Sequence, residues 1–426
     1  MASAGSIFRI RPICYNAPMS SAPQNLFLHA DGDSFFVACE VSVHPEYRGL
    51  PVVVGEDRGI AVAMSYEAKA LGVTRGMPVF EIKKRFPKVI ILPHHFDLYR
   101  KISNSVYDIL LSYLSVVEKY SIDECFAEVR PSDITYATSE EKLVEEIKNE
   151  ISEKLGVTYS LGLARTKALA KTASKLQKPN GAVVLLTPLA EEHALRTTSI
   201  EDVWGIGRRT VPRLQALGMK TAYDFVQYPS AYIERHFPEP LRALQLELGG
   251  VSLHELNASP DARDQKSIQS TATFRPPSAD RNIIWAELSQ NIENACEHAR
   301  RLGLMTKSVS FFIKNTDFTH QSRDCSLALY ADDPGVIMNA IEPAFDTILR
   351  SSEKIRSTGI TLHNLRRIED VPHDLFEMQA TADSRSLVER FADKIRAKFG
   401  SDALMRASSL NGSSHDKDNS FPKGHS

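Results

Sequence analysis

The sequence predicts an α+β protein of several domains, and three observations carry that expectation. Its 426 residues exceed what a single hydrophobic core serves, since cores stop growing at roughly 250–300 residues. Short apolar runs of strand length alternate with longer segments of helical period. Residues 251–265 are polar, contain Asn257, Pro260 and several acids, and read as a linker. A hydrophobic share of 42% with 24% charged residues describes an ordinary soluble chain. No apolar run approaches the ~18 residues of a membrane span, so no membrane association is expected. Cys14, Cys39, Cys125, Cys296 and Cys325 lie far apart with no C-x-x-C pair. That argues against a zinc site or a disulfide framework and for a reducing, cytoplasmic setting. The net charge of −2 does not itself point to nucleic acid, although basic strips can be balanced by acidic surface elsewhere.

The first 24 residues lack acids, carry Arg9 and Arg11, and read as a flexible extension. Leu26 to Ala30 is a short, mostly apolar run that suits a buried strand. The motif Asp31-Gly32-Asp33-Ser34-Phe35-Phe36 follows it. Gly32 lets the backbone come close to an ion and makes its carbonyl a plausible ligand. Phe36 to Glu40 can start a helix whose first free N–H groups point back at phosphate. A second motif, Ser121-Ile122-Asp123-Glu124, reads as a hairpin: Glu118–Ser121 enters, and Glu124–Val129 leaves with Cys125, Ala127 and Val129 on one face. Adjacent acids at a turn ordinarily form a solvated tip. Paired with the first motif, they offer Asp31, Asp123 and Glu124 to a hard cation. Three carboxylates share a partly buried pocket only if a metal or proton offsets their repulsion. Mg²⁺ suits carboxylates, waters and substrate phosphates, and two such ions imply phosphoryl transfer.

Three further segments complete a pattern: Ser65-Tyr66-Glu67-Ala68-Lys69, Lys178-Pro179-Asn180-Gly181 and the Gly205-Ile206-Gly207 hairpin. In this order and spacing, over about residues 25 to 365, the five segments resemble the Y-family DNA polymerases of the DinB/UmuC type. The resemblance implies a right-hand polymerase with a ferredoxin-like palm, small fingers, a helix-hairpin-helix thumb and an α+β little finger. It implies that Asp31, Asp123, Glu124 and the Gly32 carbonyl hold two Mg²⁺ ions. Phe35 and Phe36 fall at the nucleotide, with Phe36 as the steric gate under the sugar, while one of the two rings belongs to the core. A flat apolar ring there clashes with a 2′-hydroxyl and cannot hydrogen-bond it. Asp33 reads as structural. Tyr66, Lys69 and Lys178 match the triphosphate contacts, and a spacing of three puts Tyr66 and Lys69 on one helix face. The family more often has arginine where Lys69 stands, so the grip on phosphate is less directional. Lys178 follows a helix in which Leu169, Ala173 and Leu176 recur, and Pro179-Asn180-Gly181 turns the chain and fixes where Lys178 points. Lys167, Lys171 and Lys175 are expected on a solvated face.

The expected organisation is an extension (1–24), palm (25–42 and 96–185), fingers (43–95), thumb (186–250), linker (251–265), little finger (266–368) and tail (369–426). In the thumb, Gly205 and Gly207 allow a tight hairpin whose N–H groups hold a DNA phosphate, with Arg208 and Arg209 adding charge. In the little finger, Ser270–Phe274 and Val309–Ile313 read as strands and Ile283–Leu302 as a helix. Thr319 to Arg323 are expected between strands. Lys307, Lys314 and Arg323 are the expected phosphate contacts. In the tail, Pro372 to Phe376 resembles a sliding-clamp peptide without its usual leading glutamine; Leu375 and Phe376 would anchor it. Leu387, Phe391 and Ile395 form an apolar stripe expected to dock on the protein itself. From Asn411 onward the composition is that of a disordered segment.

The implied activity is template-directed addition of dNTPs to the primer 3′-end of primer-template DNA. There is no exonuclease motif, and short fingers imply low fidelity and lesion tolerance. The alternatives are a polymerase V-like subunit needing a UmuD-like accessory protein, a nucleotide cyclase-like palm enzyme, and a non-catalytic scaffold recruited by the clamp.

Overall fold

The computed structural model describes residues 26–56, 59–134, 138–257, 265–349, 354–371, 378–400, 403–404 and 406–409. The N-terminal extension, the clamp-like peptide Pro372–Phe376 and the segment beyond Asn411 lie outside them. The chain separates into two compact units, Met1–Pro260 and Asp261–Ser426.

The first unit begins with β1 (Leu26–Gly32) and α1 (Phe35–Val43). A small lobe follows: β2 (Val52–Val54), β3 (Ala63–Met64), α2 (Tyr66–Ala70), α3 (Val79–Arg85) and β4 (Ile90–Leu92). The chain returns through α4 (Phe96–Tyr113), β5 (Val116–Lys119), β6 (Glu124–Val129), α5 (Pro131–Ile134), α6 (Glu140–Leu155), β7 (Tyr159–Ala164), α7 (Lys167–Leu176) and β8 (Ala182–Leu185). These strands form one sheet in the order β5-β6-β1-β7-β8. Its first four strands are antiparallel, with α4 and α6 as crossovers, a ferredoxin-like arrangement; β8 extends it in parallel. β1 is central, so an almost wholly apolar run suits it.

Both faces of this sheet are covered. Cys125, Ala127 and Val129 join the core beneath α4 and α6, where Val106, Leu110, Val144 and Ile147 recur at helical spacing. Ser139 caps α6 and Gly156, at φ 67°, ends it. On the other face α7 starts at Thr166, whose hydroxyl accepts from Leu169 N–H at 3.2 Å. It crosses β7 at Gly162, where a Cβ would lie 2.3 Å from the Ala170 carbonyl oxygen and the Ser174 nitrogen. Only glycine permits that approach.

The unit ends in a helical segment: α8 (Pro188–Thr197), α9 (Val211–Ala216), α10 (Ala222–Gln227), α11 (Ser230–His236) and α12 (Glu239–Leu248). The start of the expected linker is tied down: Leu253 and His254 N–H donate to Glu247 at 2.7 and 3.1 Å, and Asn257 N–H to Glu118 at 2.9 Å.

The second unit runs β9 (Ile268–Ser278), α13 (Arg281–Arg301), β10 (Leu304–Asn315), β11 (His320–Ala331), α14 (Pro334–Leu349) and β12 (Ile355–Arg367). Its sheet is antiparallel in the order β11-β10-β12-β9. Residues 320–323, expected between strands, open β11. A final helix, α15 (Met378–Phe399), follows. Its apolar stripe does not dock: Phe391 and Ile395 are 65% and 41% exposed, and the side chain of Leu387 lies outside the description. The helix docks instead by charge. Buried Arg300 takes Asp393 in a two-pronged pair at 2.6 and 2.9 Å, and Arg396 reaches Glu293 at 3.3 Å. A buried guanidinium left without its carboxylate costs several kcal/mol, so these pairs set the face that α15 turns to the protein.

Gly162→Ala should destabilise the chain by about 1–3 kcal/mol, the ordinary cost of overpacking. Urea unfolding should show a lower midpoint at unchanged slope.

Candidate active site

Strand register brings the two acidic motifs together. β1 ends as β6 begins, and their antiparallel pairing sets Asp31 directly opposite Glu124. Gly32 N–H donates to the Asp123 carbonyl at 2.9 Å and closes the ladder. Like charges facing across a ladder repel. Burial raises the pKa of Asp31, Lys178 opposes that shift, and Glu124 and Asp123 add to it.

Two lysines offset this charge. Lys178 pairs with Asp31 and lies 3.6 Å from Asp33. Lys171 Nζ lies 2.7 Å from Glu124 Oε2, with its side chain 6% exposed. The rings of Tyr120 and Trp204 stand 4.7 and 5.2 Å from that ammonium. Lys167 pairs with Glu118 at 2.8 Å. Lys167 and Lys171 are therefore buried counter-ions, not a solvated face. Helix α7 lies against β7 and β1, so a spacing of four turns both inward. Lys175 is exposed, yet its Nζ donates to the Asp202 carbonyl at 3.0 Å. The pairing of Glu118 and Glu124 on a hairpin with two lysines one helical turn apart was the available signal.

His29 completes the cluster, and no motif singles it out. It shares the face of Asp31, two residues along β1. One donor atom each of His29, Asp31 and Glu124 lies within 4.8 Å of the others. His29 Nδ1 is 2.7 Å from Ser174 Oγ, and that hydroxyl donates to the Lys171 carbonyl at 3.0 Å. Nδ1 therefore carries the ring proton, and Nε2, buried with no hydrogen-bond partner among the described residues, carries a lone pair. Burial, then Lys171 and Lys178, holds the imidazole well below its usual pKa. Asp123 stands slightly apart: the Ser121 hydroxyl donates to its carboxylate at 2.6 Å, and it lines the neighbouring cavity. Carboxylates on adjacent strand ends, a nearby carbonyl and counter-charges already drawn in form a donor set that fits a hard divalent cation.

That cavity, of about 310 Å³, is lined by Gly32, Phe36, Tyr66, Lys69, Asp123 and Lys178 among others. Arg75 also lines it, although no motif points to it. Tyr66 and Lys69 share a face of α2. The ammonium sits 4.3 Å from the Tyr66 ring and 3.4 Å from Ser34 Oγ. Burial, then Lys178, lowers the pKa of Lys69. Asp33 accepts from Ser160 Oγ at 2.8 Å and from Asn180 N–H at 2.7 Å, which fixes the turn carrying Lys178. Phe35 borders the cavity but belongs to the core: it is 3% exposed and packs edge-on to Tyr159 at 6.1 Å. Phe36 is half-buried at the cavity wall.

In the helical segment 188–248, Gly205 adopts φ 88° beneath Leu244, and a Cβ at Gly207 would meet open space. Gly207, Arg208 and Arg209 are exposed. In the second unit, Lys314 lies opposite Ser357 and His320, on the sheet face that Ser310, Ser322, Thr361 and Thr271 also occupy. Lys307 stands 5.5 Å from the Tyr330 ring. Arg323 pairs in register with Phe311, so it projects from the opposite face, the one that carries α13 and α14. One surface does not take both Lys314 and Arg323.

The family model for impB/mucB/samB matches residues 30–175, and that for its C-terminal domain matches 265–375. DNA polymerase IV of Desulfatibacillum aliphaticivorans is 30% identical over 386 residues, 89% of this chain and 95% of that protein. The chain belongs to the impB/mucB/samB family. Within this family, DNA polymerase IV 2 of Agrobacterium fabrum is 30% identical over 79% of this chain and 94% of its own length. Among solved structures, a Y-family DNA polymerase chimera of Dbh and Dpo4 covers 80% of this chain and 99% of its own at TM-score 0.68 and 22% identity. DinB from Sulfolobus solfataricus covers the same shares at TM-score 0.51 and 24% identity. The fold is that of the Y-family polymerases.

Lys171→Met should strand Glu124 opposite Asp31. The metal-free protein should lose roughly 3 kcal/mol, as when one partner of a buried pair is removed. The rise in Tm on adding Mg²⁺ should be larger than in the native chain, because the ion then has no lysine to displace; differential scanning fluorimetry with and without EDTA reads both.

Proposed function

We propose that this chain is a template-directed, low-fidelity DNA polymerase that extends a primer 3′-end with dNTPs in translesion synthesis. The observation that carries this reading is the Asp31–Glu124 pair, held by lysines beside a cavity walled by Phe36, Tyr66 and Lys69. The family and its relatives named DNA polymerase IV support it.

We assign Asp31, Asp123, Glu124 and the Gly32 carbonyl to two Mg²⁺ ions. Bound there, the ions supply a lowered pKa for the primer 3′-hydroxyl and charge for the phosphates. The protein's own part is positional. Tyr66, Lys69 and Lys178 receive the triphosphate, with Arg75 within reach of the same cavity. Lys178 is already drawn to the carboxylates, so it stands where phosphate and acid meet. Phe36 bars a 2′-hydroxyl by clash. The fingers are one three-stranded sheet with two short helices, too little to close tightly over a base pair, so selection by induced fit is weak.

On DNA, Gly205, Gly207 and Arg208 grip the backbone from the thumb. Lys307 and Lys314 do so from the second unit, where hydroxyl side chains suit contacts that ignore sequence. Arg323 would have to reach round an edge strand. A helix-hairpin-helix thumb has no task in a nucleotide cyclase. Relatives named DNA polymerase IV match this chain over nearly their whole length, which favours a stand-alone enzyme over one needing a UmuD-like partner. Leu375 and Phe376 remain the proposed anchors for a sliding clamp. Among the described residues no helix is long and apolar enough to cross a membrane. The described cysteines are free thiols, which supports a cytoplasmic enzyme.

Primer extension with Mg²⁺ on undamaged and abasic templates tests this. The native chain should extend both primers, and Glu124→Ala should slow extension by about a thousandfold or more, the several kcal/mol that metal-ion catalysis supplies. Equal extension by the variant would overturn the site assignment.

A further inference from the structure

Phe36 does not stand alone. Its ring stacks on Tyr99 of α4, with centroids 4.4 Å and planes 12° apart. Phe96 closes edge-on against both rings at 5.8 Å. Tyr99 is fully buried, and its hydroxyl donates to Glu40. Glu40 is only 2% exposed and lies one helical turn beyond Phe36 on α1. His95 Nδ1 approaches its two oxygens at 3.0 and 3.1 Å. Among the described residues, the partners of this buried carboxylate are thus a phenol and an imidazole, not a lysine or arginine.

A buried carboxylate that loses a donor is left with an unsatisfied charge, a far larger penalty than a weakened stacking contact. Tyr99 therefore cannot swing without leaving the buried Glu40 to His95 alone. Glu40 in turn is carried by the same helix as Phe36, so its bond to Tyr99 ties α4 to the helix of the gate. The chain of contacts closes on itself: ring on ring, hydroxyl on carboxylate, carboxylate back to the helix of the first ring. A gate that rejects a ribose by clash discriminates only as far as it refuses to yield, because a small ring displacement would make room for one oxygen. The stiffness of this loop is then what the 2′-hydroxyl meets.

We infer that Glu40, acting through Tyr99 and with His95, is the positioning residue that holds the Phe36 gate rigid and so sets discrimination between deoxyribo- and ribonucleotides. The inference rests on Phe36 being the gate. It adds Glu40 and Tyr99, both buried behind the gate.

The test compares kcat/KM for a dNTP and its rNTP opposite one template base, in the native chain and in Phe36→Val, Glu40→Gln and Tyr99→Phe. Glu40→Gln and Tyr99→Phe should each lower the dNTP/rNTP ratio by about fivefold, the size of one aromatic contact. The change should fall on the rNTP, with dNTP use and correct-over-incorrect base selection held within about twofold, and adding Glu40→Gln to Phe36→Val should change nothing more, as coupled sites require. Phe36→Val that leaves the ratio intact would remove the gate assignment and this inference with it. A ratio that collapses in Phe36→Val but stays native in both other variants would overturn the inference alone, as would equal losses on dNTP and rNTP. Tyr99→Phe keeps the volume of the core, so it decides the matter if Glu40→Gln does not fold.

Discussion

Asp31 and Glu124 face each other across β1 and β6, and the ladder fixes the backbone that carries each. At ~5 Å and an effective dielectric of ~20, two such charges repel by on the order of 3 kcal/mol. Much of the first unit answers that repulsion. Helix α7 brings Lys171 to Glu124, and the turn after it brings Lys178 to Asp31. Gly162 lets the helix lie close enough for both. Asp33 spends its carboxylate on Ser160 and Asn180, which holds that turn in place. A site poised for cations is thus kept folded by its own cations, which can exchange acid for phosphate when substrate arrives.

The same logic shapes the surroundings. Lys171 sits among aromatic faces rather than water, which retains an ammonium whose carboxylate is shared. His29 is held neutral, so the cluster gains no further positive charge from it. Buried charge recurs in the second unit, where Arg300 and Arg396 fasten α15 through Asp393 and Glu293.

The sequence made the fold class legible because β1, the β5–β6 hairpin and the amphipathic helices each carry their period locally. The acidic motifs were legible for the same reason, since strand ends and turns announce themselves within a few residues. What escaped depends on partners far apart in the chain. Lys171 lies 47 residues from Glu124 and Ser174 lies 145 from His29, so neither pairing leaves a local trace, and lysines at helical spacing look solvated. The stripe of Phe391 and Ile395 misled in the reverse sense. Periodicity finds an apolar face, but it does not say which face a buried arginine elsewhere will claim. The side on which Arg323 emerges was equally illegible, because the pairing of one strand decides it.

On this reading Lys171 and Lys178 hold the places that metal ions take at Asp31 and Glu124. Anomalous scattering from crystals of the full chain soaked in Mn²⁺ tests it most directly. A peak is expected at Asp31 and Glu124, with both ammonium groups withdrawn from those carboxylates. A peak elsewhere, or metal bound with both lysine pairs unbroken, would contradict it.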